Sequence, residues 1–345
     1  MLDIFNIEPH TISRSITGKN FLFYGEKKCG KTSTAVKFPK SLILGFEYGW
    51  SGLNGVKAIP ISDWVTFKRQ IVQPLIKEAE EVRKGLKETT TYSTLIVDTC
   101  DLAYDLCSKY ILSVEGVSNH DESTNMRSYK KCEKEFETVF LDLMRQTDAN
   151  GNNLYSIVFI SHEEVKQQKN ILTKEKEIFV STTMDKRAHK VISRAVDCTI
   201  YMKTIDNNDG NPPQRYAFFR TDGTFEAGSR YTYLPPYVPL TYANIEQAVL
   251  DAVEKQCEED GIVAEAGTKS NIANEVSYDF DSLMNEARSL FTVFESNGQA
   301  QLFANVVEGI LGIGYRLSEV KPHQVIAVAD IVAELKNKAT ELGLI

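Results

Sequence analysis

Residues 20–36 read NFLFYGEKKCGKTSTAV, and this stretch decides the fold. The apolar, aromatic run at 20–24 predicts a short buried strand. The next eight residues, GEKKCGKT at 25–32, have the GxxxxGK[ST] spacing of a phosphate-binding loop. Residues 34–38 then predict a helix that ends before Pro39. Because a phosphate-binding loop requires a strand before it and a helix after it, the sequence predicts an α/β fold around a nucleotide site.

The loop residues predict how a nucleotide is held. Backbone N–H groups around 28–31 are expected to converge on the β-phosphate, because they surround a helix N-terminus. Lys31 is expected to reach the β- and γ-phosphate oxygens, and the Thr32 hydroxyl to ligate Mg²⁺. The predicted nucleotide-binding residues of the loop are Gly25, Glu26, Lys27, Lys28, Cys29, Gly30, Lys31, Thr32 and Ser33.

A second anchor for the metal is predicted at the end of another strand. The run STLIVD at 93–98 is almost continuously apolar, which is typical of a parallel strand covered on both faces. Asp98 ends this run and is expected to join the nucleotide site, holding Mg²⁺ with Thr32 through water. Any apolar strand can end in Asp, so this assignment depends on its pairing with the loop.

Two further strand ends carry side chains that hydrolysis needs. Glu47 follows the strand predicted at 41–46 and is the candidate base for the attacking water. The alternative is a solvated carboxylate at a strand end. His162 follows the strand predicted at 155–160 and is a candidate contact to the γ-phosphate, with a surface or capping histidine as the alternative. Lys31, Glu47 and His162 are therefore the predicted catalytic residues.

The composition excludes several classes of protein. The chain has 345 residues, 42% of them apolar and 25% charged, as in an ordinary globular protein. It has no apolar run of about 18 residues that would cross a membrane, and residues 1–10 lack the features of a secretory signal. The six cysteines lack paired spacing, so reduced thiols in a cytosolic compartment are expected. The formal net charge of −8 argues against a uniformly basic surface that coats nucleic acid.

The remaining pattern predicts a core, a linker and a second domain. Strands alternating with helices, followed by a hairpin at 198–202 and 215–219 around NNDG at 207–210, predict a mostly parallel sheet with an antiparallel edge. A helix is predicted over 63–86, with a kink at Pro74. The predicted boundaries are an α/β core at 1–255, an acidic and polar linker at 256–276, and a small all-helical domain at 277–345.

Four motifs stand in a recognisable order: GEKKCGKT at 25–32, GFEYG at 45–49, LIVDT at 95–99 and IVFISHE at 157–163. Their order resembles the RecA-like core of P-loop NTPases, and most closely the phage-encoded ATP-binding proteins of the Sak type, which are single-strand annealing recombinases. The stretch AGSR at 227–230 is similar to a late small-residue motif of that family. The resemblance covers roughly residues 15–240. Lys28 departs from it, since Gly, Ser or Thr is expected there, and this bears on the rate of hydrolysis more than on binding.

The resemblance implies an ATPase core that uses ATP and Mg²⁺, assembles head to tail into a ring or filament, and binds single-stranded DNA. It implies that Glu47 activates the attacking water and that His162 links the γ-phosphate to a DNA-binding loop. It places Arg220 and Arg230 where such cores carry cations that reach a neighbour's nucleotide, with exposed hairpin charges as the alternative. The implied location is the cytoplasm of a bacterial host.

A lysine-rich segment follows His162 and is predicted to be a flexible loop that contacts DNA phosphates. Acidic residues at 163, 164, 175, 177 and 185 dilute its charge, so a solvated mixed-charge loop is the alternative. The candidate DNA-binding residues are Lys166, Lys169, Lys174, Lys176, Lys186, Arg187 and Lys190.

The leading prediction is therefore an ATP-binding and ATP-hydrolysing protein that binds single-stranded DNA and promotes annealing or strand exchange. The alternative is a nucleotide-gated switch that binds a protein partner and has no direct DNA chemistry. In either case, the C-terminal helical domain is the expected docking module for another protein, such as a replication or recombination protein.

Overall fold

The computed structural model describes residues 5, 10–169, 174–206, 212–272 and 278–345. The chain divides into two compact units, residues 1–273 and 274–345. The first unit is an α/β sheet with helices on both faces, and the second consists of helices.

Ten strands form one sheet within the described residues of the first unit, in the order β10-β8-β7-β1-β5-β4-β2-β3, with β6 paired to β5 and β9 paired to β7. The neighbours from β7 to β3 pair in parallel, whereas β8, β10, β6 and β9 pair antiparallel. The mostly parallel sheet with an antiparallel edge is therefore confirmed. The strands are β1 (Phe21–Gly25), β2 (Ser41–Gly45), β3 (Ala58–Pro60), β4 (Thr94–Asp98), β5 (Ser156–Lys169), β6 (Lys176–Thr182), β7 (Cys198–Ile205), β8 (Gln214–Phe218), β9 (Gly228–Ser229) and β10 (Tyr237–Pro239).

Helices cover both faces of this sheet and build the second unit. Those of the first unit are α1 (Lys31–Ala35), α2 (Trp64–Thr66), a π-helical turn (Phe67–Val72), α3 (Gln73–Arg83), α4 (Cys100–Glu115), α5 (Arg127–Met144), α6 (Lys186–Ala195) and α7 (Tyr242–Asp260). Those of the second unit are α8 (Phe280–Ser296), α9 (Ala300–Leu311) and α10 (Val325–Glu341). The helices α8, α9 and α10 lie in the range predicted to be a small all-helical domain, 277–345.

The apolar runs of the central strands explain why the sheet is covered on both faces. Successive side chains of a strand point to opposite faces, and in β1 Leu22 joins one core cluster while Phe21 and Phe23 join the other. In β4 the same division separates Val97 from Ile96. Helices α2 to α6 pack against the first cluster, and α1 and α7 against the second. Apolar side chains therefore cover both faces of these central strands. The strands lack the alternation of apolar and polar residues that a solvent-exposed face produces.

The parallel register brings several strand ends to one edge of the sheet. Gly25, the last residue of β1, lies beside His162 of β5. Gly45, the last residue of β2, lies beside Asp98 of β4, which is paired with Ile160 of β5. Because the carboxyl ends of parallel strands meet in this way, side chains far apart in sequence are positioned around the loop that leaves β1.

The helix predicted over 63–86 is present as one continuous helical segment made of α2, the π-helical turn and α3. The π-helical turn is its irregular part, and Phe67, Ile71 and Val72 of that turn are buried in the core. Pro74 lies directly after this turn, at the start of α3. The kink at Pro74 stays a prediction.

The prediction of a linker at 256–276 is wrong for the described residues of that range. Helix α7 continues to Asp260, and the chain beyond it packs on the first unit. The Glu265 N–H donates to the Ile12 carbonyl at 3.1 Å, and the Thr268 hydroxyl donates to the Thr17 carbonyl at 2.7 Å. Polar residues here satisfy backbone groups of the core, and composition alone does not distinguish that role from a solvated tether. Residues 273–277 lie outside the described residues.

Over its described residues, the segment predicted as a flexible loop after His162 consists of strands and a helix. Strand β5 continues past the sheet edge to Lys169 and pairs antiparallel with β6, and these two stretches form a two-stranded ribbon. Helix α6 follows, with the Asp185 side chain accepting the Arg187 N–H at its N-terminus. The prediction of a loop was wrong because 163–169 has a single apolar residue, Val165, and because α6 has a short apolar stripe of Ala188, Val191 and Ile192 among charged residues. The turn predicted at 207–210 lies outside the described residues.

The second unit has a core of its own. Buried side chains from its three helices form one apolar cluster that includes Phe294, Phe303, Val328, Ile331 and Leu335. Gly298 follows α8 with φ +69°, and Gly312 ends α9 with φ +108°. Glycine adopts such angles at little cost, which explains why the helices break there.

Gly25 is a position where the fold leaves no room for a side chain. Its φ is +151°, and a Cβ built there would lie 1.9 Å from the Met202 carbonyl oxygen of β7. We expect Gly25→Ala to lower the free energy of unfolding of the first unit by about 2–4 kcal/mol, because β7 must shift away from β1. Urea unfolding measures this loss. Gly52→Ala, whose Cβ meets nothing within 4 Å, is the control, and equal midpoints for the two variants would contradict the prediction.

Candidate functional site

The loop between β1 and α1 is shaped by its backbone angles. Gly30 precedes α1 with φ +109°, and Lys28 has φ +66°, in the left-handed region that glycine prefers. This explains why glycine is expected at position 28, where a lysine costs about 1–2 kcal/mol of backbone strain. The Lys28 side chain is exposed, whereas Cys29 is buried, and its burial raises the pKa of the thiol.

Lys31 lies beneath the loop with its ammonium group turned towards the loop's own backbone. Its Nζ donates to the carbonyl oxygens of Gly25 at 2.9 Å and Glu26 at 2.7 Å. The side chain is only 6% exposed, and this burial lowers the pKa of Lys31. Asp98, Glu163 and Glu47 oppose that shift through their negative charge. The result is a desolvated cation in the position expected to face phosphate oxygens.

Thr32 and Asp98 meet as the sequence analysis expects. The Thr32 hydroxyl donates to Asp98 Oδ2 at 2.8 Å. Asp98 is buried, and burial is the main reason that the pKa of its carboxyl is raised; the Thr32 hydrogen bond opposes the rise and the charge of Glu47 adds to it. A hydroxyl and a carboxylate oxygen side by side are the hard oxygen donors that Mg²⁺ prefers, so these residues fit the metal.

Glu47 and His162 line the same cleft as Asp98 and contact each other. The Glu47 N–H donates to the Asp98 carbonyl at 2.9 Å, and this bond holds the backbone of Glu47 beside Asp98. Glu47 Oε2 and His162 Nε2 are 3.2 Å apart. The Glu47 side chain is 41% exposed, so a water molecule has access to it. His162 Nδ1 is buried and has no hydrogen-bond partner among the described residues.

These groups line one cleft of about 370 Å³. The structure thus brings together the loop, Asp98, Glu47 and His162, as the order of the motifs predicts. Of the predicted loop residues, Gly25, Glu26 and Cys29 do not line the cleft. Lining residues that the sequence analysis did not single out include Leu53 and Arg215. One signal for Arg215 was available, because it shares the strand face of the apolar Ala217 in QRYAF at 214–218.

The two arginines predicted to reach a neighbour's nucleotide are bound within their own chain. The Arg220 guanidinium donates to the carbonyl oxygens of Tyr231 at 3.0 Å and Thr232 at 2.5 Å. Arg230 forms an ion pair with Asp197 at 3.3 Å and donates to the Arg194 carbonyl at 2.7 Å. Neither lines the cleft of its own subunit. These contacts hold the segment after β8 in place, and the predicted role in a neighbouring subunit stays a prediction.

The predicted DNA-binding residues fall into two groups. Those on the ribbon are Lys166, Lys169 and Lys176, with Lys174 beside β6; those on α6 are Lys186, Arg187 and Lys190. On α6, the Arg187 guanidinium lies 3.9 Å from the Tyr129 ring centre, and Lys190 pairs with Glu133 of α5. On the ribbon, Lys166 pairs with Glu164 at 3.2 Å and Lys176 is exposed.

Among the residues that the structure describes, no helix combines the length and apolarity that crossing a bilayer requires. The same part of the chain contains no cluster of three or more His, Cys, Asp or Glu side chains arranged to hold a metal ion.

The chain is similar to several known proteins. A curated relative, the SPbeta prophage-derived uncharacterized protein YorG of Bacillus subtilis strain 168, is 26% identical over 348 residues, and the alignment covers 99% of each chain. Among solved structures, the KaiC-like protein PH0186 from Pyrococcus horikoshii OT3 matches 59% of this chain and 78% of its own, with 9% identity and a TM-score of 0.28. The family model described as an AAA domain, AAA_24, matches residues 17–231, which is more than half of the chain and includes every residue of the cleft. This chain therefore belongs to the AAA domain family AAA_24, a family of P-loop NTPases.

Proposed function

We propose that this protein binds and hydrolyses ATP with Mg²⁺, binds single-stranded DNA, and promotes DNA annealing or strand exchange for a phage in the bacterial cytoplasm. One observation carries the proposal. Strand β5 is continuous from the sheet, through His162 in the cleft, to the lysine-bearing ribbon. The contact to the nucleotide and the contact to DNA therefore lie on one rigid element.

The cleft supplies the groups that phosphoryl transfer to water requires. Lys31 holds the phosphate oxygens, while Thr32 and Asp98 hold the metal, which neutralises charge on those oxygens. Glu47 accepts a proton from the attacking water, and its exposed carboxylate is the only acidic group lining the cleft, within the described residues, that is not tied to Thr32. His162 orients Glu47 through their hydrogen bond and senses whether the γ-phosphate is present.

The ribbon is linked to the cleft by a second contact. The Tyr201 hydroxyl of β7 donates to the Glu163 carboxylate at 2.9 Å, at the point where β5 leaves the sheet. Glu163 also lies close enough to Lys31 to oppose the lowering of its pKa. In this proposal, the charge of Glu163 is a second link between Lys31 and the base of the ribbon, beside His162.

Head-to-tail assembly belongs to the same proposal. The cleft is open on one side, and the Arg230 side chain is 54% exposed in spite of its pairing with Asp197. A trans role requires Arg230 or Arg220 to exchange its own-chain partners for a neighbour's phosphate. Electron microscopy with an ATP analogue and single-stranded DNA tests assembly directly, because rings or filaments are expected and monomers would contradict it.

The ribbon predicts a measurable salt dependence. We expect the double variant Lys166→Gln, Lys176→Gln to weaken single-stranded DNA binding and to reduce the slope of log K against log salt by about 0.7 for each lost phosphate contact. Fluorescence anisotropy with a labelled oligonucleotide, at several salt concentrations, measures both. The matched control is Lys77→Gln, Lys84→Gln, which removes one exposed lysine from α3 and one directly after it. The DNA proposal fails if the wild type binds no DNA at low salt with an ATP analogue, or if both double variants have the wild-type slope.

A nucleotide-gated protein switch is the second candidate, and the C-terminal unit favours it. That unit has a cleft of about 930 Å³, whose lining combines apolar side chains such as Met284, Phe291 and Phe303 with charged ones such as Arg288 and Glu308. Under this alternative, Glu47→Gln would leave biological activity intact while Lys31→Ala destroys it, because binding alone would operate the switch. Under the leading proposal, both variants lose activity in a phage recombination assay.

A further inference from the structure

Arg215 occupies an unusual place for a charged residue. In the β7–β8 hairpin it pairs with Thr204, and it lies on the same face as Ala217 and Met202. Those two side chains are buried in the core cluster beneath α1 and α7. Arg215 lies one step beyond this core, where β7 continues past Gly25 of β1, and it is exposed.

The guanidinium reaches the phosphate-binding loop. Arg215 Nη1 lies 3.5 Å from the point where a Cβ of Gly30 would stand. Ser33 Oγ and a Leu240 methyl group lie at the same distance from that point. The Leu240 N–H donates to the Arg215 carbonyl at 2.9 Å, so β8 and the segment after β10 approach the loop together. Arg215 therefore lines the cleft on the side of Gly30 and Ser33.

The charge around Arg215 is not balanced. Its guanidinium forms no hydrogen bond or ion pair with any residue that the structure describes. Lys27, Lys28 and Lys31 line the same cleft with the same sign of charge. Two carboxylates, those of Asp98 and Glu47, line the cleft beside these four cations, so positive charge is in excess. An excess of positive charge in a cleft attracts an anionic ligand.

The other arginines of this region show that the arrangement is particular to Arg215. Arg220 and Arg230 are both bound to carbonyl or carboxylate oxygens of their own chain. Arg215 is the residue left to bind a ligand. A planar guanidinium donates two parallel hydrogen bonds to phosphate oxygens, which makes it well suited to a polyphosphate.

We propose that Arg215 binds the polyphosphate chain of the nucleotide in its own subunit, on the side of Gly30 and Ser33, as a second cation beside Lys31. This inference rests on the proposed binding of ATP but not on DNA binding or on assembly. Because the contact lies towards the start of α1 and not towards Glu47, it is made in the ADP complex as well as in the ATP complex.

Titration calorimetry without DNA tests the proposal. We expect Arg215→Gln to weaken Mg-ATP and Mg-ADP binding alike, by about 10- to 100-fold, and Arg215→Lys to recover part of the loss. Lys203→Gln is the matched control, since Lys203 lies on the same hairpin but on the opposite face, and it is expected to bind both nucleotides as the wild type does. Equal unfolding midpoints for the three variants show that folding is not the cause.

Mixing two defective variants separates a contact within the subunit from one between subunits. If Arg215 acts in its own subunit, a mixture of Arg215→Gln and Lys31→Ala has no intact site and its ATPase activity stays low. Recovery of activity in the mixture would overturn the proposal, as would unchanged affinities for Arg215→Gln or a loss for ATP alone. If the wild type binds nucleotide but not DNA, only the proposed function fails; if it binds no nucleotide, both fail.

Discussion

Replacement of Lys31 by alanine is expected to lower kcat for ATP hydrolysis by about 10²–10³-fold and to weaken ATP binding by at least about tenfold. Lys31 is the buried cation of the cleft, and burial lowers its pKa. Folding has already removed water from its ammonium group, so nucleotide binding does not have to do so. A phosphate oxygen replaces the carbonyl oxygens of Gly25 and Glu26 that Nζ now contacts. The interaction is strong because it is made away from water.

Steady-state ATPase rates and calorimetric ATP titrations measure the two effects of Lys31→Ala. The control is Lys37→Ala, which removes an exposed lysine shortly after α1 and is expected to change neither quantity. A small loss of stability is also expected, because the two loop carbonyls lose a donor, and thermal unfolding measures it. Hydrolysis at the wild-type rate by folded Lys31→Ala would show that the cleft is not the site of the reaction.

The strand ends of the site were predictable because each combines a strong local pattern with a single polar residue. The apolar run before Asp98 and the run before the phosphate-binding loop both predict buried parallel strands. In a parallel sheet their carboxyl ends meet at one edge, so Asp98 is expected near Thr32, and the 2.8 Å contact is the result. The sequence pattern also predicts a small residue at position 28, and the left-handed backbone found there explains why glycine is expected.

Long-range packing decides the features that were not predicted. Arg215 reaches the loop only because β8 pairs with β7 and β7 pairs with β1. The sequence predicts a loop for the ribbon of β5 and β6 because 163–169 is almost entirely polar and has no apolar periodicity. It predicts a linker after α7 for a similar reason, although Thr268 and its neighbours hydrogen-bond to the core. Local composition reports polarity, and tertiary pairing decides whether that polarity faces solvent.

Glu47→Gln is expected to lower ATP hydrolysis by about 10²–10⁴-fold while ATP binding is retained. Glutamine has nearly the same shape as glutamate and keeps a hydrogen bond to His162, but it cannot accept a proton from water. It also removes a negative charge that now raises the pKa of Asp98, so the affinity for ATP is expected to be equal to that of the wild type or higher.

Single-turnover hydrolysis and ATP titration distinguish Glu47→Gln from Lys31→Ala, because only the second variant loses binding. Glu88→Gln, at an exposed position, is the control for removal of one negative charge. If Glu47→Gln hydrolyses ATP at the wild-type rate, another group must activate the water, and His162→Ala is then the next variant to measure. If hydrolysis is lost as expected, Glu47→Gln is held in its ATP-bound form. Single-stranded DNA should then dissociate from it more slowly than from the wild type, since β5 carries both His162 and the ribbon.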